Sequence, residues 1–109
     1  LTPTNTPIDL KCRLIVSAPY PNPVTKGRAL KINLEANPNC PKTVRIAVYT
    51  TAYRKVYDST QVVASRNTVW SWDTKDMKGV PVASGVYYIR VEEEGVGTVL
   101  NYAPAVVLR

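Results

Sequence analysis

The sequence predicts an all-β protein, an antiparallel immunoglobulin- or fibronectin-like β-sandwich of about seven strands. Three observations predict it. Apolar residues alternate with polar ones over short runs, at the two-residue period of a half-buried strand. Clusters of Pro, Gly and Asn interrupt these runs at close intervals. Val, Ile, Tyr, Thr and Trp fill the runs, and nothing repeats at helical spacing for long enough to propose a helix.

Taken in order, Leu1, Thr2, Pro3, Thr4, Asn5, Thr6 and Pro7 place Thr or Pro at nearly every position. Such a segment favours an extended, solvated polyproline II path over a helix or a central strand. Residues 1–7 therefore read as a linker or N-terminal arm, and residues 8–109 as the sandwich. Residues 8–17 set Ile8, Leu10, Cys12 and Leu14 on one face against Asp9, Lys11 and Arg13 on the other. Residues 30–36 alternate Leu30, Ile32 and Leu34 with Lys31, Asn33 and Glu35. Residues 43–50 align Val44, Ile46 and Val48, and a break at Thr51 and Ala52 turns them into residues 53–59 as a hairpin. Residues 68–72, 85–94 and 103–109 complete the strands. Five prolines assign residues 19–27 and 37–42 to loops.

A chain of 109 residues is one domain long and supports one modest core. Its net charge of +6 comes from basic residues scattered from Lys11 to Arg109. Dispersed positive charge serves solubility, whereas a nucleic-acid surface gathers it into a stripe with interleaved aromatics, so no nucleic-acid partner is expected. There is no histidine. The commonest general base and metal ligand near neutral pH is thus missing, and two cysteines are too few for a cysteine-only zinc site. No enzymatic activity, cofactor or metal is expected. Outside the cytosol Cys12 and Cys40 would form one disulfide worth about 3–4 kcal/mol on the chain-entropy model; the alternative is two buried thiols. No apolar run reaches the length of a membrane span, no signal peptide is visible, and the chain begins at Leu1. Membrane insertion is not expected, and the chain reads as a processed product or an excised domain.

The stretch WDTKDMKGVPVASGVY, residues 72–87, invites a metal or catalytic reading. A calcium loop needs oxygen ligands at alternate positions. Here those positions are Asp73, Lys75 and Met77, and neither an ammonium nor a thioether replaces a carboxylate. A looser site on Asp73 and Asp76 is the remaining metal reading. The structural reading accounts for more: Asp73 accepts hydrogen bonds from the turn that follows it, Gly79 supplies a positive φ, and Gly85 lets the chain bend or approach a neighbour. Trp70 and Trp72 share a strand face, where they fill a core that contains no Phe or form a platform for stacking sugar rings. Tyr87 and Tyr88 point to opposite faces. Glu92, Glu93 and Glu94 form a solvated hairpin tip, or a docking point for the basic face of an identical neighbour.

In order along the chain, residues 19–24, 44–56 and 70–92 resemble the immunoglobulin-like domain related to the flagellar hook-capping protein. They are similar also to the C-terminal modules of many bacterial secreted and surface proteins, including some type IX sorting domains. The most specific piece is carried by Trp72, Asp73, Asp76, Gly79, Val82, Ser84, Gly85, Val86 and Tyr87, and the likeness covers nearly everything after the arm. One departure is the turn at Ala52, Tyr53 and Arg54, where such modules carry a glycine. Residues 103–109 suit the closing strand, which would make Arg109 a natural C-terminus. The resemblance implies a non-catalytic β-sandwich module that anchors, sorts or spaces an exported bacterial protein at the cell surface. Its partners would be proteins, either identical copies or other surface proteins. A sharper version assembles copies through the arm, Leu1 to Ile8, added to a sheet edge of a neighbour. The alternatives are a carbohydrate-binding module with a surface glycan as partner, and a scaffold related to flagellar hook assembly.

Overall fold

The computed structural model describes residues 12–95 and 99–109. The expected assembly arm at residues 1–8 and the first part of the expected opening strand lie outside them. The described residues form eight strands: β1 (Ile15–Val16), β2 (Val24–Thr25), β3 (Leu30–Glu35), β4 (Lys42–Thr50), β5 (Lys55–Val63), β6 (Thr68–Trp72), β7 (Gly85–Glu93) and β8 (Val99–Leu108). Among the described residues none is helical. The strands form a three-stranded sheet, ordered β1-β3-β6, and a five-stranded sheet, ordered β2-β8-β7-β4-β5.

Alternation along the strands builds the core between the two sheets. Leu30, Ile32, Leu34, Trp70 and Trp72 come from the smaller sheet; Val44, Ile46, Val48, Tyr87, Ile89, Val91, Ala105 and Val107 come from the larger. All are buried, and each fully buried Val, Leu or Ile side chain contributes about 1.5–3 kcal/mol. The register holds the pattern in place: Leu30 lies opposite Trp72 and Ile32 opposite Trp70. Slipping by one residue would turn both tryptophans to solvent.

Four expectations need correction. Among the described residues the first strand covers only Ile15 and Val16, with Cys12 in a turn and Ser17 already past its end. The sandwich is not wholly antiparallel, since β2 runs parallel to β8 with Val24 opposite Val107. The surrounding prolines favour a loop there, yet the Asn22 side chain does the work of a ladder residue: it donates to Pro104 O at 3.3 Å and accepts from Val106 N at 2.9 Å. The hairpin's second strand starts at Lys55 and runs to Val63, beyond the expected residue 59, and Tyr53 belongs to the turn. The last strand begins at Val99, before the expected residue 103.

Cys12 and Cys40 are bonded, with Cα atoms 5.3 Å apart. The bond joins the turn before β1 to the β3–β4 loop, stapling the N-terminal entry of the domain to the start of β4.

Candidate functional site

The stretch from Trp72 to Tyr87 folds as a hydrogen-bonded corner that spends its polar groups on its own backbone. Asp73 Oδ1 accepts from Lys75 N at 3.1 Å. Asp76 Oδ1 accepts from Lys78 N at 2.9 Å and from Val80 N at 3.0 Å, while its own N–H donates to Val80 O at 2.8 Å. Gly79 closes this loop at φ 82°, a left-handed geometry that a side chain resists. Its N–H donates to Asp76 O at 2.9 Å. Asp73 and Asp76 are thus turn acceptors, and among the described residues no three His, Cys, Asp or Glu side chains gather where a metal ion could be held. Gly85 has open space where a Cβ would stand, so close approach of a neighbour is not its reason.

Two groups that the sequence did not single out complete the corner. Thr74, 5% exposed and at φ 63°, is a buried polar residue in the left-handed region. Its carbonyl accepts from Val82 N at 3.0 Å and from Arg109 Nη2 at 2.6 Å; its hydroxyl accepts from the same Nη2 at 2.9 Å. Arg109 Nε also donates to Val82 O, and Arg109 N donates to Ser84 Oγ at 2.8 Å. The last residue therefore clamps the loop to the end of β8. No local pattern could announce this, because 35 positions separate the partners. Tyr87 is anchored similarly, its hydroxyl donating to Ala83 O at 2.6 Å in the manner of a tyrosine corner. Burial pushes that hydroxyl above its ordinary value, with Arg109 pulling it partly back.

The tryptophans are core residues. Trp72 is 0% exposed and Trp70 3%. Their indole N–H groups donate to Lys75 O and Ser59 Oγ, each at 2.8 Å, so neither ring is available for stacking a sugar. Glu93 pairs with Lys42 at 3.3 Å and Glu92 with Arg90 at 3.5 Å, which leaves the acidic run partly neutralised within the sheet.

The exposed aromatic surface lies elsewhere, on the outer face of the larger sheet. Tyr49 on β4 pairs with Tyr88 on β7, and Arg90 on β7 pairs with Tyr102 on β8. The rings of Tyr88 and Tyr102 stack with centroids 5.4 Å apart and planes 14° from parallel. Tyr53, 76% exposed in the β4–β5 turn, leans over the same patch, and Tyr49, Tyr53, Arg90 and Tyr102 line a hollow of about 240 Å³. The Tyr102 hydroxyl is held above its ordinary value by desolvation and then by the neighbouring Tyr53, Tyr88 and Tyr49 hydroxyls, against a downward pull from Arg90. Four of the seven tyrosines converge here with a guanidinium. The hollow is smaller than the ~300–1,000 Å³ of small-molecule sites, and its Tyr/Arg make-up is that of protein-contact hot spots. A larger hollow of about 470 Å³ borders Tyr20, Arg28 and Lys31, but it offers one aromatic ring where the sheet face offers four. Sequence reasoning missed the patch although Tyr88 and Arg90 alternate with inward Tyr87 and Ile89, because only the register brings positions 49, 53, 88 and 102 together.

No family model matches the chain, and no curated protein matches it. Solved structures do. Dimeric latent PorU from Porphyromonas gingivalis is similar at a TM-score of 0.71 and 21% identity, over 87% of this chain and 9% of that one. PorZ of the same bacterium, an essential surface component of its type-IX secretion system, is similar at a TM-score of 0.60 and 22% identity, over 88% of this chain and 11% of that one. This chain thus spans about a tenth of each of those proteins. The hook-capping side of the sequence resemblance gains no support from these matches. What the two likenesses establish is a shared β-sandwich fold.

Proposed function

We propose that this chain is a non-catalytic docking module of an exported bacterial protein, working at the cell surface through contact with other proteins. The single observation that carries the reading is the convergence of Tyr49, Tyr53, Tyr88 and Tyr102 around Arg90 on a solvent-facing sheet. Rigid aromatic rings with polar tips give a large contact area at small entropic cost, and a guanidinium among them adds directional hydrogen bonding. The fold likeness to segments of PorU and of PorZ, the latter a type-IX surface component, supports a sorting or anchoring role. The Cys12–Cys40 bond supports an oxidising location. Buried tryptophans count against carbohydrate binding through Trp70 and Trp72. A finer reading adds association of identical copies through the N-terminal arm.

The test is a soluble passenger fused ahead of this chain in a bacterium with a type-IX secretion system. The wild-type fusion is expected at the cell surface, and a fusion carrying Tyr88→Ser with Tyr102→Ser is expected to be retained inside the outer membrane. A passenger whose location is indifferent to the fusion would refute the sorting role; one delivered equally by the double variant would refute the role of the tyrosine face.

A further inference from the structure

The larger sheet ends at β5, and this edge is covered over only part of its length. Register decides which groups face outward. Thr43 O accepts from Glu94 N at 2.9 Å, on the β7 side of β4, so Thr43, Arg45 and Ala47 turn their backbone groups toward β7. Their partners Val62, Thr60 and Asp58 therefore direct theirs away from β4, to the open side. The corner satisfies the first of these outward groups. Met77 N donates to Val56 O at 3.1 Å, and Asp58 N donates to Met77 Sδ at 3.4 Å. Past Asp58 no cover is seen among the described residues. Among the described residues Thr60 has no backbone partner on that side, and Val62 has only the Gln61 side-chain amide, which donates to its carbonyl at 3.0 Å.

Residues 59–63, Ser-Thr-Gln-Val-Val, hold no charge and no proline, two of the devices by which edge strands are blunted, and Val62 is 60% exposed. On the far edge of the same sheet, β2 and the Asn22 side chain occupy backbone groups of β8 between Pro104 and Leu108.

The arm carries a complementary pattern. Pro3 and Pro7 both fall at odd positions, while Thr2, Thr4, Thr6 and Ile8 fall at even ones, keep their N–H groups and are β-branched. Successive residues of an extended strand direct their backbone groups to opposite sides. The even set can thus pair with β5 while the missing proline N–H groups fall on the far side. Bound that way, the arm presents an outer edge with two donors removed, which stops a further strand from adding. Direction favours a second copy over the arm's own domain. Cys12 is bonded to Cys40, two residues before Lys42, which lies opposite Val63. An arm leaving Cys12 and folding back along its own β5 would run parallel to it, whereas a second copy permits the slightly more stable antiparallel pairing.

We infer that residues 1–8 of one copy add as an edge strand to β5 of a second copy, through the outward backbone groups of Thr60 and Val62. The inference rests on the self-association reading above and supplies its acceptor. The test is sedimentation velocity of the full chain over a concentration series, with folding checked by circular dichroism. Wild type is expected to self-associate. Thr4→Pro, which removes an edge-facing donor, and Thr60→Pro, which removes its outward N–H without touching the β4 ladder, are each expected to weaken association at least ten-fold. Asn5→Pro, of the opposite parity, is expected to leave it unchanged. Mixing the Thr4→Pro and Thr60→Pro chains is expected to give one-to-one heterodimers, since one supplies the edge and the other the arm. Val62→Lys repeats the edge test should Thr60→Pro fold poorly. A monomeric wild type, or a harmless Thr4→Pro, overturns self-association through the arm itself. Loss with Thr4→Pro but not with Thr60→Pro or Val62→Lys overturns only the acceptor. Folded variants that fail to complement each other place the arm on its own domain and overturn the exchange.

Discussion

Replacing Asp76 by alanine removes a single carboxylate oxygen that accepts two backbone N–H groups, from Lys78 at 2.9 Å and Val80 at 3.0 Å. Hydrogen bonds to a charged acceptor are worth about 1.5–3 kcal/mol when shielded. These two are exposed, so water recovers part of the loss, and about 1 kcal/mol each, as for a helix cap, is the closer figure. Asp76→Ala is therefore expected to cost about 2 kcal/mol. With an unfolding entropy of about 2.1 cal/mol/K per residue over 109 residues, Tm falls by about 9 °C. Asp76→Asn keeps the acceptor oxygen and is expected to lose less than about half of that. Thermal melts at neutral pH, with and without millimolar calcium, decide the matter. Equal losses for alanine and asparagine, or a fall under about 2 °C for alanine, would refute the turn-acceptor assignment. A rise in wild-type Tm on adding calcium that vanishes in Asp76→Ala would restore the metal reading.

Three further outcomes follow from the same geometry. Tyr53 holds a left-handed backbone, φ 64°, at a turn where glycine is easier, so Tyr53→Gly is expected to raise stability by about 0.5–1 kcal/mol in denaturant melts while weakening partner binding; a destabilised variant would show that its ring packing outweighs the backbone strain. Because burial raises the Tyr87 hydroxyl above its ordinary value of 10.0, the fold favours the protonated form: its contribution is complete below that value and is lost as pH rises through the higher folded value. As pH rises past 10.0, wild-type Tm should thus fall more steeply than that of Tyr87→Phe, and equal slopes would contradict the assignment. Replacing Cys12 and Cys40 together by serine removes a bond spanning 28 positions, and a loss of about 3–4 kcal/mol, near 15 °C in Tm, is expected in calorimetry; an unchanged Tm would mean that the entry segment is held by other contacts.

Much of the architecture could be read from residue order. The alternation of Leu30, Ile32 and Leu34 announced β3, and the five-residue run ending at Trp72 announced β6 with the bounds it has. The corner motif was legible as a corner because Asp and Gly at those positions act on their own neighbours. Strands set among prolines were harder. Val24 and Thr25 hold their place through the partner strand and the Asn22 side chain rather than through local preference, so β2 was missed. The end of β5 was missed likewise, since Gln61 and Val62 take strand form only against Val44 and Thr43.

By itself the sequence determined which side chains point the same way, because a two-residue period is a property of the extended backbone and needs no partner. It determined also that no histidine side chain is available, and where the Asp- and Gly-bearing turns fall. Only the tertiary structure decided that Arg109 locks Thr74, that Trp70 and Trp72 are buried, and that Tyr49, Tyr53, Tyr88 and Tyr102 share one surface. Those facts depend on strand order and register between segments tens of residues apart, and such pairings are selected by burial of the whole core at once.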